Sequence, residues 1–258
     1  FAVIKHTGIC DGADDCRRTV RNQVRRSADQ IKFVSTGGVL SETAAGTGQQ
    51  FFDDEQEAIV ETAHSLGRKV TAHAHNADGI NASLRAGVDS IEHGTFANDE
   101  SIRLFKSTGA YLVPTILAGI TVAEIAGSEN SFFAKAVRDK AMRVGPQLIE
   151  NTRRAHRSGV RLAFGTDSYV SQHGENAREF GLLVEAGLTP IEAIVTATVN
   201  GADNLGQSDT LGTLESGKHA DLIAVDGDPT ADVDVLLDVD FVMKAGVVYK
   251  HYADRSEP

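Results

Sequence analysis

The chain has 258 residues, of which 41% are hydrophobic and 24% charged, a composition typical of a soluble globular protein. Acidic residues outnumber basic ones by 36 to 25, and the formal net charge of −11 would repel a phosphate backbone, so no nucleic-acid partner is expected. No run of about 18 apolar residues occurs, so the sequence predicts no membrane-spanning helix and no membrane partner.

Short apolar segments alternate with stretches of helical periodicity along most of the chain. This alternation predicts an α/β fold with a parallel sheet, either a (β/α) barrel or a doubly wound sheet. The predicted strands cover 30–35, 69–73, 89–93, 110–113 and 161–164. One predicted helix begins at Asp53, and five others cover 79–86, 99–108, 131–158, 176–185 and 190–202.

The sequence pattern changes at about Leu211. From there the chain contains short β segments separated by turn signals, namely ADLIAV, DGDP and FVMKAGVVYKHY. Clusters of Gly, Asp and Pro between short apolar runs are typical of antiparallel strands. We therefore expect a separate all-β unit after the α/β part.

Residues able to bind a metal lie at or near the ends of four predicted strands. They are Lys32, His73, His93, and Asp167 in the turn FGTDS. In a barrel the carboxyl ends of the strands surround the active site, so we expect these side chains to come together. Neutral imidazoles and a carboxylate suit zinc, and a zinc-bound water becomes a hydroxide near neutral pH. The pattern therefore indicates metal-assisted hydrolysis.

Lys32 is the unusual member of this set. A lysine buried in a strand loses its charge easily, and its free amine can add carbon dioxide to form a carbamate, an anionic ligand that bridges two metal ions. The alternative is a lysine whose ammonium extends from the strand end into solvent.

Cys10 and Cys16 are the only cysteines, and they lie in a charged stretch without a second pair. Two cysteines do not make a disulfide framework, so we interpret both as reduced thiols without a catalytic role. Reduced thiols favour a cytoplasmic location. The chain begins at Phe1, so an N-terminal signal is not observable from it.

Several motifs occur in an order that resembles the amidohydrolase superfamily, in its Xaa-Pro dipeptidase (prolidase) and imidazolonepropionase-related branch. They are IKFVSTGGV, VTAHAHNADGI, AGVDSIEHGT, PTIL, FGTDS, HGENAREF and GTLESGKHADLIAVDGDP. The resemblance implies a partial (β/α)8 TIM barrel with strands 4 to 8 over residues 1–205. Residues 206–258 would then be the C-terminal strands of a small β-sandwich. Because the family's strand 1 HxH pair is absent, the resemblance implies the C-terminal part of a longer chain.

The resemblance also implies a ligand set. Lys32 corresponds to the carboxylated lysine of barrel strand 4, and Asp167 to the aspartate of strand 8. His73 and His93 correspond to the ligands of strands 5 and 6. The implied cofactors are two divalent metal ions, with zinc expected, and carbon dioxide as the carbamate on Lys32.

Two further histidines are candidates for substrate binding. His75 competes with His73 for the strand 5 position, because residues two apart on a strand face the same way. We prefer His73 as the ligand, since the family spacing matches His73 and His93, and expect His75 nearer the substrate. His173, in SYVSQHGEN, is expected on the loop after strand 8. Glu92, adjacent to His93, is expected on the opposite strand face.

The expected reaction is hydrolysis of a peptide or amide C–N bond in a dipeptide or other small molecule. A metal-bound hydroxide would attack the carbonyl, while Asp167 accepts the proton and returns it to the leaving amine. The long loop 36–52 after Lys32 is expected to act as a lid or binding segment. Cyclic-amide hydrolysis and deacetylation are alternative reactions. An alternative of another class is that the chain is a non-catalytic fragment without the strand 1 ligands. The sequence also allows the protein to form a homo-oligomer.

Overall fold

The computed structural model describes residues 8–41 and 46–251, and a parallel four-stranded sheet lies at its centre. The strands are β1 (Gln30–Val34), β2 (Lys69–Ala74), β3 (Ser90–His93) and β4 (Tyr111–Val113). They lie side by side in chain order, and all three pairs are parallel. The α/β class and these strands, predicted from the sequence, are therefore confirmed.

The described α-helices are α1 (Ala13–Arg25), α2 (Asp53–Ser65), α3 (Ala77–Ala86), α4 (Asp99–Thr108), α5 (Ile116–Gly127), α6 (Lys135–Arg157), α7 (Arg178–Glu185), α8 (Pro190–Ala197) and α9 (Val199–Asn204). Of these, α2, α3 and α4 connect the four strands, as parallel pairing requires. The crossover helix α3 shows how its ends are defined by sequence. Asn76 caps its N-terminus by accepting hydrogen bonds from the first turn, and Gly87 ends it in a left-handed conformation at φ +90°.

The two faces of the sheet differ in chemistry. One face carries apolar residues that are at most 7% exposed and pack with the helices in one hydrophobic core; they include Ile31, Phe33, Val70, Ala72, Ile91 and Leu112. The strand register places Lys32 beside Thr71 and His73 beside Glu92 on the alternate positions. The polar residues at the carboxyl ends of the strands therefore share the other face.

The predicted strand at 161–164 is wrong. Leu162 forms only an isolated parallel bridge with Leu112, and Phe164 N already bonds to the carbonyl of Thr196 in α8. The neighbouring strand β4 has three residues and is followed by Pro114, which lacks the N–H that a longer ladder needs. The segment 161–164 therefore pairs with β4 only through this one bridge.

The structure contains one helix that the sequence did not predict, and it divides one predicted helix in two. The sequence expectation contained no helix between 113 and 131, yet α5 occupies Ile116–Gly127. Its apolar residues surround the helix, so no amphipathic pattern marks it. The stretch predicted as one helix over 190–202 is broken at Thr198, whose backbone leaves the helical region and separates α8 from α9.

The C-terminal segment forms a separate antiparallel sheet of three strands. They are β5 (Leu222–Ala224), β6 (Phe241–Lys244) and β7 (Val247–Lys250), paired in chain order. The expected change to β structure therefore occurs, but the segment is not all β, because a 3-10 helix, Val233–Leu237, lies between β5 and β6. Membership of a β-sandwich stays a prediction. The outer ends of the expected units 1–205 and 206–258, at 1–7 and 252–258, lie outside the described residues.

Cys10 and Cys16 form a disulfide, so the interpretation of both as free thiols is wrong. Gly12, with φ +80°, turns the chain immediately before α1 and brings the two Cα atoms to 4.8 Å. The cytoplasmic location expected from reduced thiols loses its basis. Among the described helices, none combines the length and the hydropathy needed to cross a bilayer.

Candidate metal centre

Three histidines lie together where β2 and β3 end. His73 belongs to β2, His75 follows its last residue, and His93 ends β3. One ring nitrogen from each lies within 4.8 Å of those of the other two. His93 Nε2 is 2.9 Å from His73 Nδ1, and the rings of His75 and His93 stack with centroids 4.7 Å apart. The cluster therefore directs several nitrogen lone pairs at one small volume.

The environment keeps these rings neutral at physiological pH. Burial, followed by the charge of Lys32, lowers the pKa of His73 to about 4. Burial, together with His73 and Lys140, lowers the pKa of His75 to about 3. Burial, followed by the neighbouring His75, His73 and Lys32, also holds the pKa of His93 well below its ordinary value. Neutral imidazole is the form that ligates a transition metal, so the cluster has the correct protonation state.

Threonine hydroxyls fix two of the rings from behind. Thr115 Oγ1 lies 2.6 Å from His93 Nδ1, and Thr95 Oγ1 lies 2.8 Å from His75 Nδ1. Such contacts to the non-ligating nitrogen orient metal-binding histidines. His73 Nε2 is buried without a hydrogen-bond partner among the described residues. A buried orphan nitrogen, neutral rings and oriented imidazoles fit a divalent metal that prefers nitrogen ligands.

Backbone strain is concentrated at the same end of the sheet. His93, Thr115 and Asp167 have φ of +69°, +51° and +50°, a region that residues other than glycine seldom occupy. Each such conformation costs on the order of 1–3 kcal/mol and persists only where its surroundings impose it. His93 is the last residue of β3, while Thr115 and Asp167 come shortly after β4 and the 161–164 segment. The strain therefore lies at the edge of the sheet where the sequence predicted the site.

Asp167 and Lys32 lie near the histidines but differ from them in exposure. Asp167 lines the same cavity as the three rings and is exposed, and its charge raises the pKa of His73. Lys32 is also exposed, so the expectation of a buried lysine is wrong. Lys32 lies on β1, the edge strand of the sheet, where Val34 on the same face is exposed as well. The charge of Lys32 nevertheless contributes to the lowered pKa of His73 and of His93.

Glu92 is a site residue that the sequence argument missed. Strand alternation was expected to turn it away from His93, but it pairs with His73 in register and accepts a 2.7 Å hydrogen bond from Thr71. Burial raises its pKa, and the charges of Lys32 and Asp167 act on it. The left-handed backbone of His93 breaks the alternation and brings both side chains to one face. The sequence carries no signal for this arrangement, because the register of β2 against β3 and the φ of His93 are properties of the folded chain.

The two expected substrate-binding histidines have different surroundings. His75 is 4% exposed and belongs to the cluster itself, rather than lying one step further out. His173 is exposed in the turn before α7 and is not among the residues that line the cavity. The structure therefore brings His75 to the site and leaves His173 outside it.

An apolar cavity of about 170 Å³ opens onto the histidines. Aliphatic side chains from the loop after β1 and from α5 and α6 form its wall: Val39, Leu40, Ala118, Val122, Val144 and Leu148. The described part of the loop expected to be a lid is held by Lys140 of α6, which donates to the carbonyls of Gly38 and Ser41. Residues 42–45 of that loop lie outside the described residues. A cavity of about 150 Å³ lined by aliphatic groups accommodates a benzene-sized molecule, so one apolar side chain fits here.

The parallel sheet and the strand-end histidines define an α/β protein with a candidate metal site, and comparison with known proteins identifies its family. The amidohydrolase family model matches residues 1–249, so the chain belongs to the amidohydrolase family. The resemblance inferred from the motifs is confirmed.

Similar proteins include hydrolases of amide bonds. The chain is 36% identical over 248 residues to ochratoxinase of Aspergillus niger, covering 94% of this chain and 50% of that protein. It is 31% identical over 186 residues to imidazolonepropionase of Sphingopyxis alaskensis, covering 69% of this chain and 41% of that protein. A crystal structure of a Xaa-Pro dipeptidase with methionine bound in its active site matches with 45% identity and a TM-score of 0.91, covering 94% of this chain and 60% of the other. The chain thus spans about half the length of these curated relatives.

Proposed function

We propose that the protein carrying this chain is a metal-dependent amidohydrolase that cleaves a peptide or amide C–N bond, with Xaa-Pro dipeptides as the first substrate class. The observation that carries this proposal is the cluster of three neutral histidines beside an apolar cavity. The similarity to a Xaa-Pro dipeptidase with a bound amino acid supports the substrate class.

The metal-binding residues would be His73 and His93, with Lys32 and Asp167 completing the set in this chain. Two divalent ions are proposed, zinc first, because neutral imidazoles and carboxylates are zinc ligands. A carbamate on Lys32 is part of this proposal. Because Lys32 is exposed, the support for it is the strand register, which puts Lys32 on the same face of the sheet as His73. When bound, zinc polarises a carbonyl group and lowers the pKa of water.

The residues of this chain would divide the remaining work. Asp167 lines the cavity and would accept the proton of the attacking water and deliver it to the leaving amine. His75, buried against His93, would contact the substrate carbonyl or orient His93. The aliphatic wall would hold one apolar side chain of the substrate and exclude water from the reacting bond.

The test uses the full gene product, purified and analysed for metal. We expect about two zinc equivalents per chain, a mass increase on Lys32 from carbon dioxide, and hydrolysis of Xaa-Pro dipeptides in a panel that also contains N-acyl amino acids and cyclic amides. Hydrolysis of a cyclic amide or an N-acetyl substrate alone would favour the alternative reactions. Absence of metal together with inactivity on the whole panel would overturn the proposal in favour of a non-catalytic protein.

A further inference from the structure

Two sequence motifs without a role in the proposed reaction, PTIL and HGENAREF, meet in the structure through Glu179. This residue of α7 is completely buried and accepts hydrogen bonds from Ile116 N at 2.9 Å and Leu117 N at 2.7 Å, one with each carboxyl oxygen. These two donors are the first residues of α5. Acidic groups favour helix N-termini because the first-turn N–H groups lack partners within the helix. Glu179 therefore fixes the start of α5 to α7.

Thr115, the residue immediately before Ile116, contacts the histidine cluster. Thr115 precedes α5 with φ +51°, and its Oγ1 lies 2.6 Å from His93 Nδ1. The single hydroxyl proton of Thr115 is donated to the carbonyl of Pro114 at 2.7 Å. Thr115 Oγ1 must then accept the Nδ1–H of His93, since a hydroxyl has only one proton to give. The His93 tautomer that results carries its free lone pair on Nε2, the nitrogen that faces His73.

We propose that Glu179 is a positioning residue for the metal site, acting through the α5 N-terminus on Thr115 and so on the orientation and tautomer of His93. This inference rests on the proposed metal-dependent function. A left-handed threonine stays in place only if its surroundings hold it. The two bonds from Ile116 and Leu117 hold the backbone that directly follows Thr115, which no other buried acid among the described residues does.

The simpler explanation is that Glu179 only stabilises a helix end. Glu55 provides a matched comparison, because it is 6% exposed and likewise accepts two backbone N–H groups, from Gly12 and Phe52 at 2.7 Å each. Glu55 caps α2 and makes no hydrogen bond or ion pair with a histidine in the described part of the chain. Replacing either acid with glutamine removes one carboxyl oxygen that accepts a backbone hydrogen bond, so each variant tests the cap of its own helix. Only the Glu179 variant should change the orientation of His93.

The experiment compares Glu179→Gln, Glu55→Gln, Thr115→Val and Thr115→Ser with the wild type in the full gene product. Co²⁺ is titrated into metal-free protein, and the histidine ring ¹⁵N signals are recorded before any metal is added. Loss of an outer partner of a ligating histidine typically weakens metal binding 10–100-fold. We expect such a loss in Glu179→Gln and Thr115→Val, with displaced His93 signals in the metal-free state. Glu55→Gln should retain wild-type affinity and signals, and Thr115→Ser should restore both.

The outcomes separate this inference from the proposed function. A wild-type protein that takes up no Co²⁺ contradicts the metal-dependent function, while the His93 signals of the metal-free variants still decide the positioning role. Equal effects of Glu179→Gln and Glu55→Gln on Co²⁺ affinity, or unchanged His93 signals in Glu179→Gln, overturn the positioning role. If Glu179→Gln does not fold, Glu179→Asp replaces it, since its shorter carboxylate is expected to displace α5 and the same signals; unchanged signals there also overturn the inference.

Discussion

His93 Nε2 and His73 Nδ1 lie 2.9 Å apart at the ends of two neighbouring strands. Burial is the main cause of the lowered pKa of both rings, so these two nitrogens approach each other as neutral groups. His75 stacks on His93 and adds a third ring to the same volume. Because the three rings belong to separate residues at the ends of β2 and β3, their contributions to metal binding can be separated by substitution.

The first prediction concerns which histidine binds metal. His73→Ala should lose bound zinc, whereas His75→Ala should keep it and mainly raise the KM. Metal content by mass spectrometry and steady-state kinetics measure the two effects. His219→Ala, at an exposed position in the C-terminal part, controls for surface histidine binding. Retention of zinc in His73→Ala with its loss in His75→Ala would show that the ligand assignment is reversed.

The second prediction is a pH dependence of stability in the metal-free protein. The folded pKa values of His73 and His75, about 4 and about 3, lie below the unfolded value of 6.5. The unfolded chain therefore binds more protons between these values, and the free energy of unfolding should fall as the pH drops below 6.5. Urea unfolding at pH 7.5 and pH 5 measures this change. A variant with glutamine at both positions should show a shallower dependence; an identical slope contradicts the prediction.

The third prediction concerns the loop over the cavity. Lys140→Met removes the ammonium that binds the carbonyls of Gly38 and Ser41, so the loop should close less firmly over the substrate. We expect the KM to rise about tenfold, corresponding to about 1.4 kcal/mol, with a smaller change in kcat. Lys135→Met on the same helix is the control, because Lys135 is exposed and pairs only locally with Asp139. Equal kinetics for the two variants would exclude a role for the Lys140 contact.

The fourth prediction concerns the size of the apolar cavity. Ala118→Leu places a larger side chain in the wall, so kcat/KM for amides with a bulky apolar side chain should fall at least about tenfold relative to a glycyl substrate. Glu124→Leu, at an exposed position on the same helix, should leave the ratio unchanged. Competition between a phenylalanyl and a glycyl substrate gives the ratio directly. A proportional loss for both substrates would mean that the side chain lies elsewhere.

The fifth prediction concerns the disulfide. The tryptic peptide covering residues 6–17 contains both cysteines and should be lighter by two hydrogens before reduction than after it. The link closes a short loop with a sequence separation of 6, so Cys16→Ser should lower the free energy of unfolding by about 2 kcal/mol. Adding a reductant to the wild type should reproduce this loss, while the variant should not respond. A wild-type stability that is insensitive to reductant would contradict the prediction.

The sequence predicted the sheet because its strands are short apolar runs between helical segments. The strand-end histidines were identifiable for the same reason, since the strand boundaries of β2 and β3 determine where His73 and His93 lie. Helix α5 was missed because ILAGITVAEIAG is apolar around most of its circumference, with Glu124 as its one charged residue, so no amphipathic pattern marks it. Periodicity detects a helix only when one face meets solvent.

Backbone conformation and tertiary packing account for the features that the sequence did not predict. The expectation for Glu92 assumed regular strand alternation up to His93, which the positive φ of His93 prevents. The exposure of Lys32 depends on which elements cover the sheet face, and the disulfide depends on the turn at Gly12. These features arise from tertiary arrangement, which local residue patterns do not encode.

The left-handed residues at the strand ends also have a consequence for evolution and engineering. Substituting glycine or asparagine for Thr115 would relieve its unfavourable backbone conformation and is expected to raise the melting temperature. The same change would remove the hydroxyl that orients His93. Selection for thermostability and selection for turnover should therefore choose different residues at this position, so a stabilised variant library would lose activity here first.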